Sequence, residues 1–221
     1  MTQRLDGVER AIAAFRRGEP VLIHDFDDRE AETDLVYPAA DVTPEAVARL
    51  RNDAGGLVCV ALSDPVADAF DLPLLEESLD HPTAAGEVAY DDRSSFSLSV
   101  NHRETYTGIT DADRSHTIRG LADAAARVPG YGVEDFAADF RSPGHVTLLR
   151  AAPSLTHRQG HTELGISLAD AADREPAVVV CEMLDGASGG ALPKAAAREY
   201  ASRHGLAFVE GAALVEAFSG D

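Results

Sequence analysis

Residues 177–184 form the most apolar segment of the sequence and carry a single charged side chain, Glu182. Continuous apolar character is typical of a strand that is buried on both faces, because a strand with one solvated face alternates apolar and polar residues. Such a strand must lie inside a sheet that is covered on both sides.

Helical and strand patterns alternate along the rest of the chain, and no repeat or linker interrupts them. Helices are predicted at about residues 8–17, 43–52, 64–70, 110–127, 162–172, 192–204 and 212–218. Strands are predicted at about residues 21–26, 35–39, 57–62, 96–100, 145–150 and 206–210. The sequence therefore predicts a single domain over residues 1–221, of the α+β or α/β class, with a mixed β-sheet packed between helices.

The chain is strongly acidic, with 38 Asp and Glu against 19 Lys and Arg and a formal net charge of −19. This charge disfavours nonspecific binding to nucleic acid, because the phosphates would be repelled. Lys194 is the only lysine. An acidic, lysine-poor surface suits a high-salt cytoplasm, in which charges are screened over a few ångströms, so a halophilic source is expected.

The two cysteines, Cys59 and Cys181, each lie in an apolar run, which predicts buried free thiols rather than a disulfide. No apolar stretch approaches the roughly 20 residues that span a membrane. The N-terminus lacks the apolar region of a signal peptide. We expect a cytoplasmic protein without a membrane partner.

Residues 27–34 read Asp-Asp-Arg-Glu-Ala-Glu-Thr-Asp and place five carboxylates and one arginine in eight positions. In an extended chain Glu30, Glu32 and Asp34 would point to one face. Like charges held so close resist folding unless a cation neutralises them. A hard divalent cation such as Mg²⁺ does so through oxygen ligands, and Arg29 would hold a phosphate or carboxylate beside it. The alternative is a solvated acidic loop.

Three further clusters contain candidate catalytic groups. Residues 141–145 read Arg-Ser-Pro-Gly-His, a turn that delivers His145 at a strand start, either as a general acid or base or as a structural histidine. Residues 157–163 read His-Arg-Gln-Gly-His-Thr-Glu and predict a loop entering a helix near Thr162, a natural phosphate site beside Arg158. Glu182 ends the most apolar strand, either as a functional carboxylate or where the strand emerges into solvent.

In order along the chain, these clusters resemble the 3,4-dihydroxy-2-butanone 4-phosphate synthase family. The resemblance also covers residues 56–60, Gly-Leu-Val-Cys-Val, and residues 107–114, Thr-Gly-Ile-Thr-Asp-Ala-Asp-Arg. Thr33 and Ser142 look like the archaeal branch, which agrees with the halophilic composition. The resemblance implies a stand-alone form without the fused second enzyme domain of some bacterial relatives.

The resemblance implies a carbon–carbon lyase of riboflavin biosynthesis that converts D-ribulose 5-phosphate to 3,4-dihydroxy-2-butanone 4-phosphate and formate. It also implies a homodimer and a pair of Mg²⁺ ions, with Mn²⁺ as a substitute, bound by Glu30 and His161. The catalytic residues it implies are His145 and Glu182. The substrate contacts it implies are Arg29, Glu30, Asp34, Thr107, Arg158, Gln159, Gly160, His161, Thr162 and Glu182.

The implied reaction passes through enediolates, whose adjacent oxygens a metal pair can stabilise and whose carbon atoms exchange protons. We expect Glu32 or Asp34 to remove the first proton, and His145 and Glu182 to serve the later transfers. The polar residues 76–94 are expected to form a lid.

Two other functions fit parts of the sequence. The same carboxylates and phosphate site would suit a Mg²⁺-dependent sugar-phosphate hydrolase or another lyase. A salt-adapted metal- or anion-binding protein without catalysis would need the acidic loop only as surface.

Overall fold

The structure, a computed structural model, describes residues 2–27, 29–84, 91 and 93–218, with side chains from residue 6 onward. Its strands are β1 (Val21–His24), β2 (Thr33–Pro38), β3 (Cys59–Leu62), β4 (Phe96–His102), β5 (Phe140–Arg150), β6 (Ala177–Val180) and β7 (Ala207–Glu210). They form one sheet in the order β4-β5-β3-β6-β2-β1-β7. The β1–β7 and β3–β5 pairs are parallel and the other four are antiparallel, so the sheet is mixed as predicted.

Helices cover both faces of the sheet. They are α1 (Thr2–Arg16), α2 (Pro44–Asp53), α3 (Asp64–Ala69), α4 (Leu75–Ser78), α5 (Asp111–Ala125), α6 (Val133–Asp139), α7 (His161–Ala171), α8 (Lys194–His204) and α9 (Gly211–Phe218). One apolar core contains residues of α2, α3, α5, α6 and α8, and a second, on the opposite face, contains residues of α1, α7 and α9. The predicted fold class is confirmed.

Strand β6 lies fourth in the sheet and is buried along its whole length. Ala177 and Val179 belong to one core, whereas Val178 and Val180 belong to the other. The prediction of a central strand with two apolar faces is therefore confirmed. No helix in the described part of the chain is long and apolar enough to cross a membrane.

The predicted helix starts at residues 43 and 110 are confirmed. The Thr43 hydroxyl accepts a hydrogen bond from the Ala46 amide at 3.2 Å, and the Thr110 hydroxyl accepts one from the Asp113 amide at 3.0 Å. Each bond satisfies an amide that has no partner within the helix. For α7 the prediction of Thr162 near the cap is shifted, because Gly160 is the cap.

Strand β5 differs from its prediction. It begins at Phe140 rather than at residue 145, so His145 lies inside the strand and not at its start. The register with the antiparallel partner β4 shifts between Val100, which faces Val146, and Asn101, which faces Arg141. Residues 142–145 of β5 are the extra residues at this shift, and the pairing continues on both sides of them. Helix α6, which precedes β5, was not predicted.

Strand β4 is present, but at its start the buried and exposed positions are the reverse of those that the sequence pattern predicts. The alternation of residues 95–100 suggested that Phe96 packs inward, yet Phe96 is 37% exposed while Ser95 and Ser97 are buried. Ser95 and Phe96 both line a cleft, whereas Ser97 is buried without lining it.

Candidate active site

A cleft opens beside the start of strand β2, the end of strand β6 and the start of helix α7. It is lined by Arg29, Glu30, Asp34, Ser94, Ser95, Phe96, Leu149, Arg158, His161, Thr162, Val180 and Glu182. Seven of the predicted site residues thus meet here from three separate parts of the sequence: Arg29, Glu30, Asp34, Arg158, His161, Thr162 and Glu182.

Asp25 organises the turn between β1 and β2. Its carboxylate accepts hydrogen bonds from the amides of Glu30 and Glu32 at 3.3 and 3.0 Å and from Arg29 Nη1 at 3.2 Å. Ala31 adopts a positive φ of 55°, which tightens the turn. The segment therefore becomes extended only from residue 33, and not from Glu30 as the acidic pattern suggested.

An acidic group and a histidine face each other across the cleft. His161 Nδ1 lies 3.6 Å from Glu30 Oε2 and 3.5 Å from Asp34 Oδ1. Ligand atoms of Asp25, Glu30 and His161 all lie within 4.8 Å of one another. Two buried atoms, His161 Nε2 and Asp34 Oδ1, have no hydrogen-bond partner among the described residues. Buried nitrogen and oxygen atoms without partners beside carboxylates are what a divalent cation satisfies, so these residues fit one.

Asp25 is not among the site residues that the sequence predicts. It follows directly after strand β1, and only its contacts distinguish it from the acidic residues around it.

The electrostatics of the group are tightly coupled. Burial raises the pKa of the Asp34 carboxyl, and the charges of Glu182 and Glu30 act in the same direction. Burial lowers the pKa of the His161 imidazole, but Asp34 and Glu30 outweigh it, so that this pKa rises. Burial and the charge of Glu30 also raise the pKa of Glu32. Protons held by these three side chains therefore reduce the negative charge of the cleft, which a bound cation would otherwise compensate.

The N-terminus of helix α7 holds one arginine in the cleft. Glu163 is buried and accepts from the amides of Gly160 and Ala152 at 3.1 and 2.8 Å and from Arg158 Nη1 at 2.7 Å. An added Cβ at Gly160 would lie 2.5 Å from Arg158 Nη1 and 3.0 Å from Arg29 Nη2. Glycine at this position therefore lets both guanidinium groups approach the helix start.

One carboxylate bridges these two arginines. Asp91 Oδ2 lies 2.6 Å from Arg29 Nη2 and 2.7 Å from Arg158 Nε. The contact with Arg29 is a hydrogen bond. Arg158 Nε has no hydrogen-bond partner among the described residues, so its contact with Asp91 is an ion pair without hydrogen-bond geometry. Asp91 belongs to the predicted lid, of which residues 85–90 and 92 lie outside the described part of the chain.

Asp34 and Glu182 are joined through the backbone in an isolated antiparallel bridge, which aligns the end of β6 with β2. Glu32, Gln159 and Gly160 lie next to cleft residues in sequence but do not line the cleft. Glu32 is nonetheless coupled electrostatically to Glu30 and Glu182.

His145 and Thr107 are exposed and do not line the cleft. They meet instead at one side chain, that of Asn101. The Asn101 Oδ1 accepts from the His145 amide at 2.8 Å, and its Nδ2 lies 3.2 Å from His145 Nδ1 and donates to the Thr107 carbonyl at 3.4 Å. The structure thus divides the predicted residues between a cleft and a separate surface.

A second group of possible ligands, His102, Glu104 and His116, lies outside the cleft. The Glu104 amide donates to His102 Nδ1 at 3.3 Å, which leaves the proton of the neutral ring on Nε2. That arrangement opposes coordination through Nε2, so the group is a weaker fit to a cation than the cleft.

A mixed sheet covered by helices, with an acidic group and a histidine beside paired arginines, is typical of metal-dependent enzymes that act on small anionic molecules. The model of the 3,4-dihydroxy-2-butanone 4-phosphate synthase family matches residues 9–217. The chain belongs to this family and is an enzyme.

Two archaeal relatives with that name are similar over nearly the whole chain. The protein of Archaeoglobus fulgidus is 48% identical over 219 residues, which cover 94% of this chain and 92% of the relative. The protein of Methanosarcina mazei is 48% identical over 227 residues, which cover 96% and 91%. A solved 3,4-dihydroxy-2-butanone 4-phosphate synthase in complex with two magnesium ions superimposes with a TM-score of 0.80 at 31% identity, covering 95% of this chain and 94% of that one.

Proposed function

We propose that this chain converts D-ribulose 5-phosphate to 3,4-dihydroxy-2-butanone 4-phosphate and formate, as a carbon–carbon lyase of riboflavin biosynthesis. The observation that carries the proposal is the cleft, in which Glu30 and His161 lie beside Arg29 and Arg158. A cation site and an anion site within one cleft suit a phosphorylated sugar whose reacting oxygens need charge stabilisation. Residues 1–221 are proposed to act as one functional domain, in line with the single sheet.

Glu30, His161 and Asp25 would hold Mg²⁺, with Mn²⁺ as a possible substitute. Oxygen ligands predominate in this set, as these hard cations require. A second ion is proposed by analogy with the solved relative that contains two. When bound, the cation would supply positive charge that stabilises enediolate oxygens.

Asp34 is proposed as the base that removes the first proton. It lines the cleft and faces His161, whereas Glu32 does not line the cleft, so the geometry favours Asp34 between the two predicted candidates. Glu182 lines the same cleft and is held beside Asp34 by the backbone bridge. It is proposed for the later proton transfers.

The phosphate group is proposed to bind Arg29, Arg158 and the first amides of helix α7, near Thr162. Helix N-termini and arginine forks both favour anions. Gln159 and Gly160 do not line the cleft, and the Gly160 amide donates to Glu163, so these two residues are proposed to act by placing Arg158 and the start of helix α7.

We propose a homodimer in which His145 and Thr107 serve the cleft of the second copy. Both residues were expected at the site, yet both lie on an exposed surface at Asn101. Tyr106, at 93% exposure, and Ile109, at 50%, flank Thr107 in sequence and offer apolar surface for a partner. In a symmetric dimer this patch would lie in the interface on both subunits.

Formate release tests the reaction. Purified enzyme is incubated with ribulose 5-phosphate and Mg²⁺ in high KCl, and then with EDTA. We expect stoichiometric formate, and we expect EDTA to abolish its release. The Glu30→Gln variant should release no formate, whereas the control Glu216→Gln, at an exposed position, should release as much as the wild type. Release of inorganic phosphate instead of formate would support the hydrolase alternative, and full activity of Glu30→Gln would support the non-catalytic one.

Mixed dimers test the role of His145. His145→Ala and Glu182→Gln are each expected to be inactive alone. Random exchange of subunits should restore about a quarter of wild-type activity, because about half of the dimers are mixed and each then has one intact site. No recovery in mixtures that demonstrably contain mixed dimers would place His145 and Glu182 in the same subunit's site.

We also propose a cytoplasmic enzyme from a halophilic, haloarchaeal source. The net charge of −19, the single lysine and two buried free cysteines support this. Measuring activity and melting temperature from low to multimolar KCl tests it, and an optimum at low salt would contradict it.

A further inference from the structure

Asp91 occupies the position between the two arginines that were assigned above to the substrate's phosphate. The three side chains are largely buried, with 14% of the Asp91 side chain, 13% of that of Arg29 and 11% of that of Arg158 exposed. Charge-assisted contacts of this kind are among the stronger polar interactions in proteins, and partial burial reduces their screening. A carboxylate in this position neutralises much of the charge that attracts an anion.

Both arginines keep other anchors that do not involve Asp91. Arg158 Nη1 donates to Glu163 at 2.7 Å, and Arg29 Nη1 lies 2.9 Å from Glu30 and 3.2 Å from Asp25. These anchors hold both guanidinium groups in the cleft if the Asp91 contact is broken. Asp91 is therefore not required to position them.

The Arg158 Nε is close to Asp91 but makes no hydrogen bond with it. A buried N–H group without an acceptor is costly, by roughly 1–3 kcal/mol. One carboxylate thus satisfies the charge of the pair but not all of its donors. A phosphate group has three acceptor oxygens and a charge of about −1.5 to −2, and so meets both requirements better.

We propose that Asp91 is an internal anion that occupies the arginine pair and is displaced by the phosphate of the substrate. It is then a residue that determines specificity: only an anion with more charge and more acceptor oxygens than a carboxylate displaces it. This inference rests on the proposed phosphate site, which it extends by naming the group that competes for it. Chloride and simple carboxylates should not displace Asp91, so the anions of a salt-rich medium would not fill the phosphate site.

Titration with inorganic phosphate tests the proposal, by calorimetry at constant ionic strength and without substrate. Asp91→Asn removes the competing charge at nearly constant shape, and phosphate should bind about tenfold more tightly, which is the factor that loss of one modest charge-assisted contact gives. Asp91→Glu keeps the charge and should stay within about twofold of wild type. Asp27→Asn is the control, because Asp27 is an exposed carboxylate that contacts His24 and Lys194 instead.

Unchanged or weaker phosphate binding by Asp91→Asn would overturn the proposal, since it would mean that Asp91 supports the bound anion or takes no part. If Asp91→Asn does not fold, the wild type decides: phosphate should bind at least tenfold more tightly than acetate, and equal binding of the two would overturn the proposal.

Formate release, measured on the same samples, tests the synthase reaction separately from the displacement of Asp91. If no formate is released, the phosphate titration still shows whether Asp91 competes with phosphate for the two arginines. If both hold, the KM for ribulose 5-phosphate should fall in Asp91→Asn.

Discussion

Glu163 offers the most direct test of how the site is built, because one buried side chain supports both a helix start and an arginine. Only 1% of its side chain is exposed, and it makes three contacts between 2.7 and 3.1 Å, with Arg158 Nη1 and the amides of Gly160 and Ala152. Replacing it by Gln keeps the shape but removes the charge, and one of the three donors must then face an NH₂ group.

The expected loss follows from these contacts. Breaking a buried ion pair by removing one charge costs about 3–5 kcal/mol, and Gln retains one acceptor oxygen, so we expect about 3 kcal/mol for Glu163→Gln. For a chain of this size, that corresponds to a melting temperature lower by about 6–12 °C. The KM should rise as well, because Arg158 loses an anchor.

Differential scanning calorimetry and urea unfolding measure the effect. Glu19→Gln is the matched control, since Glu19 forms an ion pair with Arg17 at 2.6 Å but half of its side chain is exposed. It should change the free energy of unfolding by less than about 0.5 kcal/mol. A loss below about 1 kcal/mol in Glu163→Gln would show that the Arg158 pair and the two amide contacts contribute little.

Three further outcomes are expected. Gly144→Ala should destabilise the chain by several kcal/mol or displace β5, because the new Cβ would lie 1.9 Å from the Val100 carbonyl carbon; melting curves measure this, and a wild-type curve would contradict it. Cys59 and Cys181 should not react with a thiol reagent at pH 8 until urea is added, because both thiols are buried. Burial raises the pKa of both thiols, that of Cys181 to about 12. The free energy of unfolding should therefore fall as the pH rises from about 8.5, where the thiols of the unfolded chain ionise, towards 12. Glu30→Gln should weaken Mg²⁺ binding at least about tenfold in a calorimetric titration, and unchanged affinity would remove Glu30 from the cation site.

Much of the fold follows from local patterns. Val178, Val179 and Val180 alternate between two cores, and such a run has few stable positions outside a covered sheet. Thr43 caps its helix through a short-range bond that the sequence displays directly. The start of strand β4 is different, because Ser95 and Phe96 line a cleft that distant segments form.

The cleft itself was only partly predictable. The acidic pattern and the resemblance both indicate Glu30 as a cation ligand, the resemblance adds His161, and the structure places His161 Nδ1 3.6 Å from Glu30 Oε2. Asp25 and Asp91 were missed because a single carboxylate carries little information in a chain with 38 acidic residues. What distinguishes Asp91 is a contact with Arg29 across 62 positions, which no local pattern encodes.

The position of Asp25 has a thermodynamic consequence. The same carboxylate hydrogen-bonds Arg29 on the anion side and belongs to the group that would hold a cation with Glu30 and His161. A ligand that repositions Asp25 on one side must alter the binding free energy on the other. By linkage, the factor by which the cation changes phosphate affinity equals the factor by which phosphate changes cation affinity, and Asp25 is the side chain through which the two proposed sites would be coupled.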